Sequence, residues 1–594
     1  MNNFRSISLI GCAGLLCLFI YLHAYTFLAG LHLTWLPLDR WLYGHRQLGI
    51  LNRIYALPLL ASALGFEAWM LGKLEQPTDV FNTDGETFPQ EERRLANPYS
   101  VSLPMTYELR GRRRKGWINI LQPFRGLLVM GSPGSGKSRY VIRPLLEQQI
   151  RKGFTLFVYD FKYNDLTSLV YKAFCANKGA YKVEPTFHIV HFDDLARSHR
   201  CNPLAPSTIE DMAEAGECAR TLLLGLNRDW IRKQGDFFVE SAVHFITALI
   251  WFLKRYKNGI YCTLPHLIEL MQTPYDYLFS LLRTEPEIAV LINPFVSAYM
   301  ENVMPQLEGQ IAGAKIALAR LVSPHLYYIL SGSDFTLDIN NPDAPKIVCM
   351  GNTPQKQEIY GAVLSLYVSR LVRQVNRKGG LPCSLVFDEF PTLYFNGMDT
   401  LMATARSNQV AATIVVQDMS QLRKEYGREQ ADVLLNIAGN VISGQVSGDS
   451  ARQLSERFGR ILQERSSIHS GKREASTTLA QHLDAGLPAS RIATLSSGEL
   501  VGLLADSPDQ RVRLKRFHGQ IRENHPLIRD KEPDQPLPLL DAPPDANTIT
   551  ENYNRIKEEV QQLVQESIAR ILDDPALKHL MVRRPMTNNT KPRS

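Results

Sequence analysis

One stretch limits this chain's fold more than any other. The apolar run Gly126–Met130 leads directly into Gly131-Ser-Pro-Gly-Ser-Gly136-Lys137-Ser138, which fits the pattern G-x-x-x-x-G-K-[ST]. The glycines let the backbone turn tightly enough for successive N–H groups to converge on phosphate oxygens. Lys137 is spaced to reach β- and γ-phosphates, and the Ser138 hydroxyl to ligate Mg²⁺. A helix beginning inside the loop and running to about Arg151 adds the positive end of its dipole. Gly131, Ser132, Pro133, Gly134, Ser135, Gly136, Lys137 and Ser138 are therefore the candidate ATP-binding set, and the local order is strand, loop, helix.

A second element completes the chemistry. Leu385-Val-Phe-Asp388-Glu389 is a buried strand ending in two carboxylates. Asp388 is placed to hold Mg²⁺ through water, and Glu389 to polarise an attacking water as general base. Gln417 ends the next strand, Ala412–Gln417, where its side chain could read a γ-phosphate, contact the attacking water or simply close the strand. Arg406, in Ala405-Arg-Ser-Asn408, could reach the nucleotide of a neighbouring subunit or be an ordinary surface arginine. Asp160-Phe-Lys162 follows the strand Thr155–Asp160, and Lys162 either touches nucleotide or DNA or pairs with Asp160.

Short apolar strands alternating with helices indicate an α/β fold with a parallel sheet covered on both faces. Five segments are expected: an anchor over 1–75, a first core part over 76–204, an inserted all-α domain over 205–343, a second core part over 344–522, and a C-terminal extension over 523–594. Within the first core part, residues 75–100 read as a polar linker. The apolar run Ala242–Leu253 is too short to span a membrane and reads as a buried helix. The extension is Pro- and Asp-rich, then a charged helix near 548–574, then a basic tail; it is expected to be mobile or to dock on a partner. The basic clusters at 110–115 and at Arg370, Arg373, Arg377 and Lys378 could contact phosphodiester backbone or be ordinary solvated faces, and the first could also meet anionic lipid heads.

Composition adds two constraints. Ser6–Leu38 contains no Asp, Glu, Lys or Arg, and Ile7–Leu31 is long enough to cross about 30 Å of hydrocarbon; Ile54–Leu71 is a weaker second span. A cleaved signal peptide fits less well, because one arginine precedes the run and no clear cleavage site closes it. Use of ATP places both chain ends in the cytosol. The eight cysteines are scattered with no C-x-x-C pair, which argues against a zinc site or a disulfide framework. A net charge of +7 over 594 residues only hints at anionic partners.

Together, Phe124-Arg-Gly leading to Gly131–Ser138, Val158-Tyr-Asp-Phe-Lys162, Asn202-Pro-Leu204, Phe387-Asp-Glu-Phe-Pro391, Ala405-Arg-Ser407, Gln417-Asp-Met-Ser-Gln-Leu422 with Tyr426-Gly427, and Ile492–Glu499 resemble the type IV secretion coupling proteins over about residues 100–520. The resemblance implies a RecA-like P-loop NTPase core with an inserted all-α domain behind an N-terminal transmembrane anchor. It also implies a multi-pass inner-membrane ATPase with a cytoplasmic ATPase domain, assembled as a homo-hexamer, that delivers a relaxase bound to single-stranded DNA to a type IV secretion channel. The family more often shows Asp-Pro-Lys-Gly-Glu where this chain has Asp160-Phe-Lys162-Tyr163-Asn164, and the extension matches no family pattern. Alternatives on similar residues are a double-stranded DNA translocase, a motor for protein effectors, and a docking receptor that binds ATP without hydrolysing it.

Overall fold

The computed structural model describes residues 88–583, apart from residues 110, 471–474, 508 and 529–534. Both expected membrane spans, Ile7–Leu31 and Ile54–Leu71, and the tail from Arg584 lie outside the described residues.

In chain order the first elements are β1 (Val101–Leu109), β2 (Arg112–Ile120), β3 (Leu127–Met130), α1 (Arg143–Arg151), β4 (Thr155–Asp160), α2 (Asp165–Ala176) and β5 (Thr186–Val190). Seven helices follow without an intervening strand: α3 (Met212–Leu226), α4 (Phe237–Arg255), α5 (Leu264–Leu270), α6 (Tyr275–Leu282), α7 (Ala289–Met300), α8 (Met304–Ala319) and α9 (Pro324–Leu330). The strand–helix rhythm then resumes with β6 (Lys346–Gly351), α10 (Gln357–Val375), β7 (Cys383–Phe387), α11 (Met398–Thr404), β8 (Val410–Val416), α12 (Met419–Tyr426), α13 (Arg428–Ile437), β9 (Asn440–Ser443) and α14 (Gly448–Phe458). After the hairpin strands β10 (Arg460–Ser470) and β11 (Ala475–Ala485) come α15 (Ala489–Ala493), β12 (Glu499–Leu503), β13 (Arg516–Ile521) and α16 (Ala546–Asp573).

The main sheet has the order β2-β1-β13-β12-β9-β3-β8-β7-β4-β6-β5, while β10 and β11 pair only with each other. From β9 to β5 every pairing is parallel; β12, β13, β1 and β2 extend that edge as antiparallel strands. The central strands β3, β4, β7 and β8 are buried along their whole length. Burial on both faces explains why they read as unbroken apolar runs and not as alternating ones. Because they are parallel, Met130, Asp160, Phe387 and Val416 all close their strands at one edge of the sheet, where ligands gather in open α/β folds.

The helical region seats on the core through α3 and α10. A Cβ at Gly225 would lie 3.0 Å from Ala362, so the close approach of these two helices needs a glycine there. Helix α4 is the one described helix long and apolar enough to cross a membrane, yet most of it is buried inside the protein against α3, α7 and α8. It is the buried helix expected from the run Ala242–Leu253.

Three expectations are corrected. Residues 88–100 are not a free linker: Gln90 and Glu91 are buried, and Gln90 Oε1 accepts from the His518 backbone N–H at 2.9 Å. Arg370, Arg373 and Arg377 do not form a basic patch. Arg370 is 2% exposed, Arg373 pairs with Glu214 at 2.6 Å and Glu217 at 3.1 Å, and Arg377 with Glu210 at 3.4 Å. These arginines clamp α10 to α3 and the segment before it, since their charge is met by carboxylates on the facing surface. Nor does the extension stay free, because α16 lies on α5, α6 and α9 of its own chain. Ile549, Ile556, Val560, Leu563 and Ile571 are buried on its inner face, and His266 Nε2 meets Glu559 Oε2 at 2.9 Å. By contrast Arg112–Lys115 do line an exposed edge, at the start of β2.

Candidate functional site

The loop after β3 has the backbone its glycines permit. Gly131, Gly134 and Gly136 have φ of 153°, 82° and 90°, and a Cβ at Gly131 would sit 2.5 Å from Ser135 Oγ. The chain then enters a wide, π-type helical turn over Lys137–Ile142 that continues into α1. Ser132 N–H donates to Gln445 O at 2.7 Å, and Gly498 N–H donates to Ser135 O at 3.2 Å, which pins the loop from both sides. Lys137 Nζ donates to the loop carbonyls of Gly131 and, at 3.4 Å, Ser132. Burial lowers the Lys137 pKa, Glu389 and Asp388 pull it back up, and Lys162 pushes it down again; all four follow the carboxyl ends of β3, β4 and β7.

Facing the loop, Asp388 and Glu389 follow β7. Burial and the neighbouring Asp160 and Glu389 carboxylates raise Asp388 to about 7, against the pull of Lys137 and Lys162. Asp160 is raised to about 6 by burial, although Oδ2 accepts from the Thr167 and Leu166 N–H groups and the Thr167 hydroxyl at 2.8–3.0 Å. Asp160 thus caps the start of α2 and is not the partner of Lys162, which is exposed. Asp160 Oδ1 and Glu389 Oε1 are buried without a hydrogen-bond partner. Such a crowd of half-satisfied carboxylates suits a divalent cation. Among the described residues no cluster of three metal-ligating side chains exists. That fits Mg²⁺, which in nucleotide sites takes one or two protein groups, with substrate phosphates and water supplying the rest. Ser138 and Asp388 are the residues that would hold it.

Glu389 is 8% exposed and sits at φ 60°, ψ 56°, a left-handed conformation that costs a non-glycine residue about 1–3 kcal/mol. A buried hydrogen-bonded chain holds it there. Asn352 Nδ2 donates to Tyr159 OH at 2.8 Å, Tyr159 OH meets Thr392 Oγ1 at 2.6 Å, and Thr392 Oγ1 donates to Glu389 O at 2.7 Å. Gln417 Nε2 donates to Glu389 Oε2 at 3.0 Å. The structure therefore brings Lys137, Asp388, Glu389 and Gln417 to one edge. Arg406 lies elsewhere: it is exposed on the turn before β8, at the end of that strand opposite Gln417. A cleft of about 660 Å³ opens beside the loop, lined by Ser132, Pro133, Gln417, Asp418 and Ser447 among others. Tyr159, Thr392 and Asn352 escaped the sequence reading. They are hydroxyl and amide groups with no characteristic spacing, and only the parallel register unites them.

With this geometry in view, sequence comparison decides the family. Residues 83–484 match the family described as type IV secretory system conjugative DNA transfer. The chain belongs to that family of type IV secretion coupling proteins. No curated protein sequence matches it. Among solved structures it is similar to the bacterial conjugative coupling protein TrwB lacking its first 70 residues, unbound (TM-score 0.54, 15% identity, 70% of this chain and 88% of that one). It is also similar to TrwB with a non-hydrolysable GTP analogue (0.51, 14%, 70% and 89%) and with a non-hydrolysable ATP analogue (0.51, 13%, 70% and 89%). At such identities the likeness is one of fold: a RecA-like core carrying an inserted helical region, as the family resemblance implied.

Proposed function

We propose that this member of the family is an inner-membrane ATPase that couples a relaxase bound to single-stranded DNA to a type IV secretion channel. The observation that carries the reading is Glu389. A carboxylate is held in a costly backbone conformation by buried hydrogen bonds, oriented by Gln417, with one oxygen left without a partner across from Lys137. Strain of this kind persists where the surrounding structure fixes a reactive group.

In this reading the N–H groups of Gly131–Ser138 and Lys137 Nζ bind the ATP phosphates, Lys137 exchanging its loop carbonyls for them. Mg²⁺ held by Ser138 and Asp388 would supply positive charge at the phosphates. Glu389 Oε1 accepts a proton from water as the water oxygen attacks the γ-phosphorus and ADP departs. Gln417 keeps the carboxylate aimed. Arg406, remote from its own subunit's site, is left to serve a neighbour in a homo-hexameric ring. Two N-terminal spans would anchor the ring, with the ATPase part in the cytoplasm.

The TrwB complexes with nucleotide analogues support the nucleotide part of this reading by fold. The test is Mg²⁺-dependent ATP hydrolysis by the purified full-length chain, with and without single-stranded DNA. Hydrolysis abolished by Glu389→Gln is expected. Absence of any hydrolysis in the unaltered chain, DNA present, removes the motor reading and leaves a docking receptor.

A further inference from the structure

The segment joining α3 to α4 carries chemistry the nucleotide site does not use. Phe237 and Phe238 are 57% and 54% exposed, the only phenylalanines so exposed among the described residues. Their rings meet edge to face with centroids 5.5 Å apart. Just before them, Arg232 and Lys233 are exposed, and a cleft of about 390 Å³ is lined by Trp230, Lys233, Gln234, Asp236, Phe238 and Val239. Of the nearby carboxylates, Asp236 is used to cap α4, accepting from Phe238 N–H at 3.0 Å, and Glu240 pairs with Arg220 at 2.6 Å; Asp229 stays exposed. Adjacent exposed aromatics next to Arg and Lys, with an amide beside them, suit stacking on bases while cations follow the phosphates.

The same segment is tied to the general-base loop. Arg228 Nη2 donates to Thr392 O at 2.8 Å and Nη1 to Leu393 O at 3.4 Å. Its guanidinium also lies 3.7 Å from Glu425 on α12, the helix that follows Gln417. Gln234 Nε2 donates to Tyr394 OH at 3.2 Å. Thr392 in turn holds the Glu389 carbonyl.

We propose that the segment Trp230–Phe238 is a contact for single-stranded nucleic acid, and that Arg228 just before it relays its engagement to Glu389 through Thr392. Arg228 is a positioning residue in this scheme, since its bonds go to the Thr392 and Leu393 carbonyls and not to Glu389 itself. The inference rests on the reading of the chain as a DNA-handling ATPase and adds where the strand is felt.

The test uses the full-length protein in detergent, a fluorescent oligothymidylate and ATP hydrolysis. The double variant Phe237→Ala/Phe238→Ala is expected to keep its hydrolysis without DNA and to bind the oligonucleotide about tenfold or more weakly. Tyrosine at both positions restores binding. Arg228→Met is expected to bind the oligonucleotide normally yet lose the DNA-dependent rise in rate, and Arg228→Lys to regain part of it. Unchanged affinity in the alanine variant, with the unaltered chain binding well, overturns the contact while leaving the ATPase reading intact. Loss of oligomeric assembly in that variant overturns it in favour of an interface between copies. No oligonucleotide binding by the unaltered chain removes the DNA reading itself and this inference with it.

Discussion

Gln417 Nε2 donates to Glu389 Oε2 at 3.0 Å, while Glu389 Oε1 is buried with no partner. One oxygen is fixed and the other is free to accept a proton. A hydrogen bond to a charged group contributes about 1.5–3 kcal/mol. Gln417→Ala is therefore expected to lower kcat by roughly tenfold to hundredfold while leaving ATP affinity within about twofold. Single-turnover hydrolysis and equilibrium binding of a fluorescent ATP analogue separate the two.

Lys137 and Glu389 should fail differently. If Lys137 binds phosphate as proposed, Lys137→Ala is expected to lower ATP affinity and turnover together. Glu389→Gln keeps the binding cradle and lowers turnover by about 10²–10⁴. Co-purification with bound ATP is the expected signature of the second variant and not of the first.

Thr392 links the buried chain to the Glu389 backbone. Thr392→Val leaves Tyr159 OH with one partner fewer and the Glu389 carbonyl without the Thr392 hydroxyl donor. A loss of about 1–3 kcal/mol in stability is expected from denaturant unfolding. A further drop in kcat beyond that of a matched destabilised variant marks the positioning role.

The docking of α16 is open to direct test. Ile556 is fully buried on its inner face, and Ile556→Ala should cost about 2–5 kcal/mol of docking energy, read as faster amide exchange across the helix. The hydrogen bond from His266 holds the Glu559 carboxyl below the ordinary carboxylate range, against opposing burial. A lowered carboxyl stabilises the folded state above about 4.5 and ceases to do so as pH falls through its folded value. Exchange protection of α16 should thus weaken between pH 5 and pH 3 by more in the unaltered chain than in Glu559→Gln (about these limits).

The candidate nucleotide site is legible in the sequence because its residues lie close together along the chain. Gly131–Ser138 is eight consecutive residues, and Asp388-Glu389 is a dipeptide at the end of an apolar run. What was not legible depends on distant residues meeting. Tyr159 and Thr392 touch only because β4 and β7 are parallel neighbours. The hairpin β1–β2 was hidden by the charges of Arg112–Lys115, which sit on its exposed end. The apolar stripe of α16 is masked by its charged residues, and the prolines before it suggest a mobile or partner-docking end and not one docked on its own chain. Arg370, Arg373 and Arg377 are read as solvated or DNA-facing because a sequence does not say which carboxylates face them.

The most direct test of the central claim is plasmid transfer in the native host by Lys137→Ala and Glu389→Gln variants at normal protein level. Both variants are expected to abolish delivery of a mobilisable plasmid while the relaxase still nicks its DNA. Unimpaired transfer by either variant contradicts that claim, because then nothing at this site powers the movement of DNA.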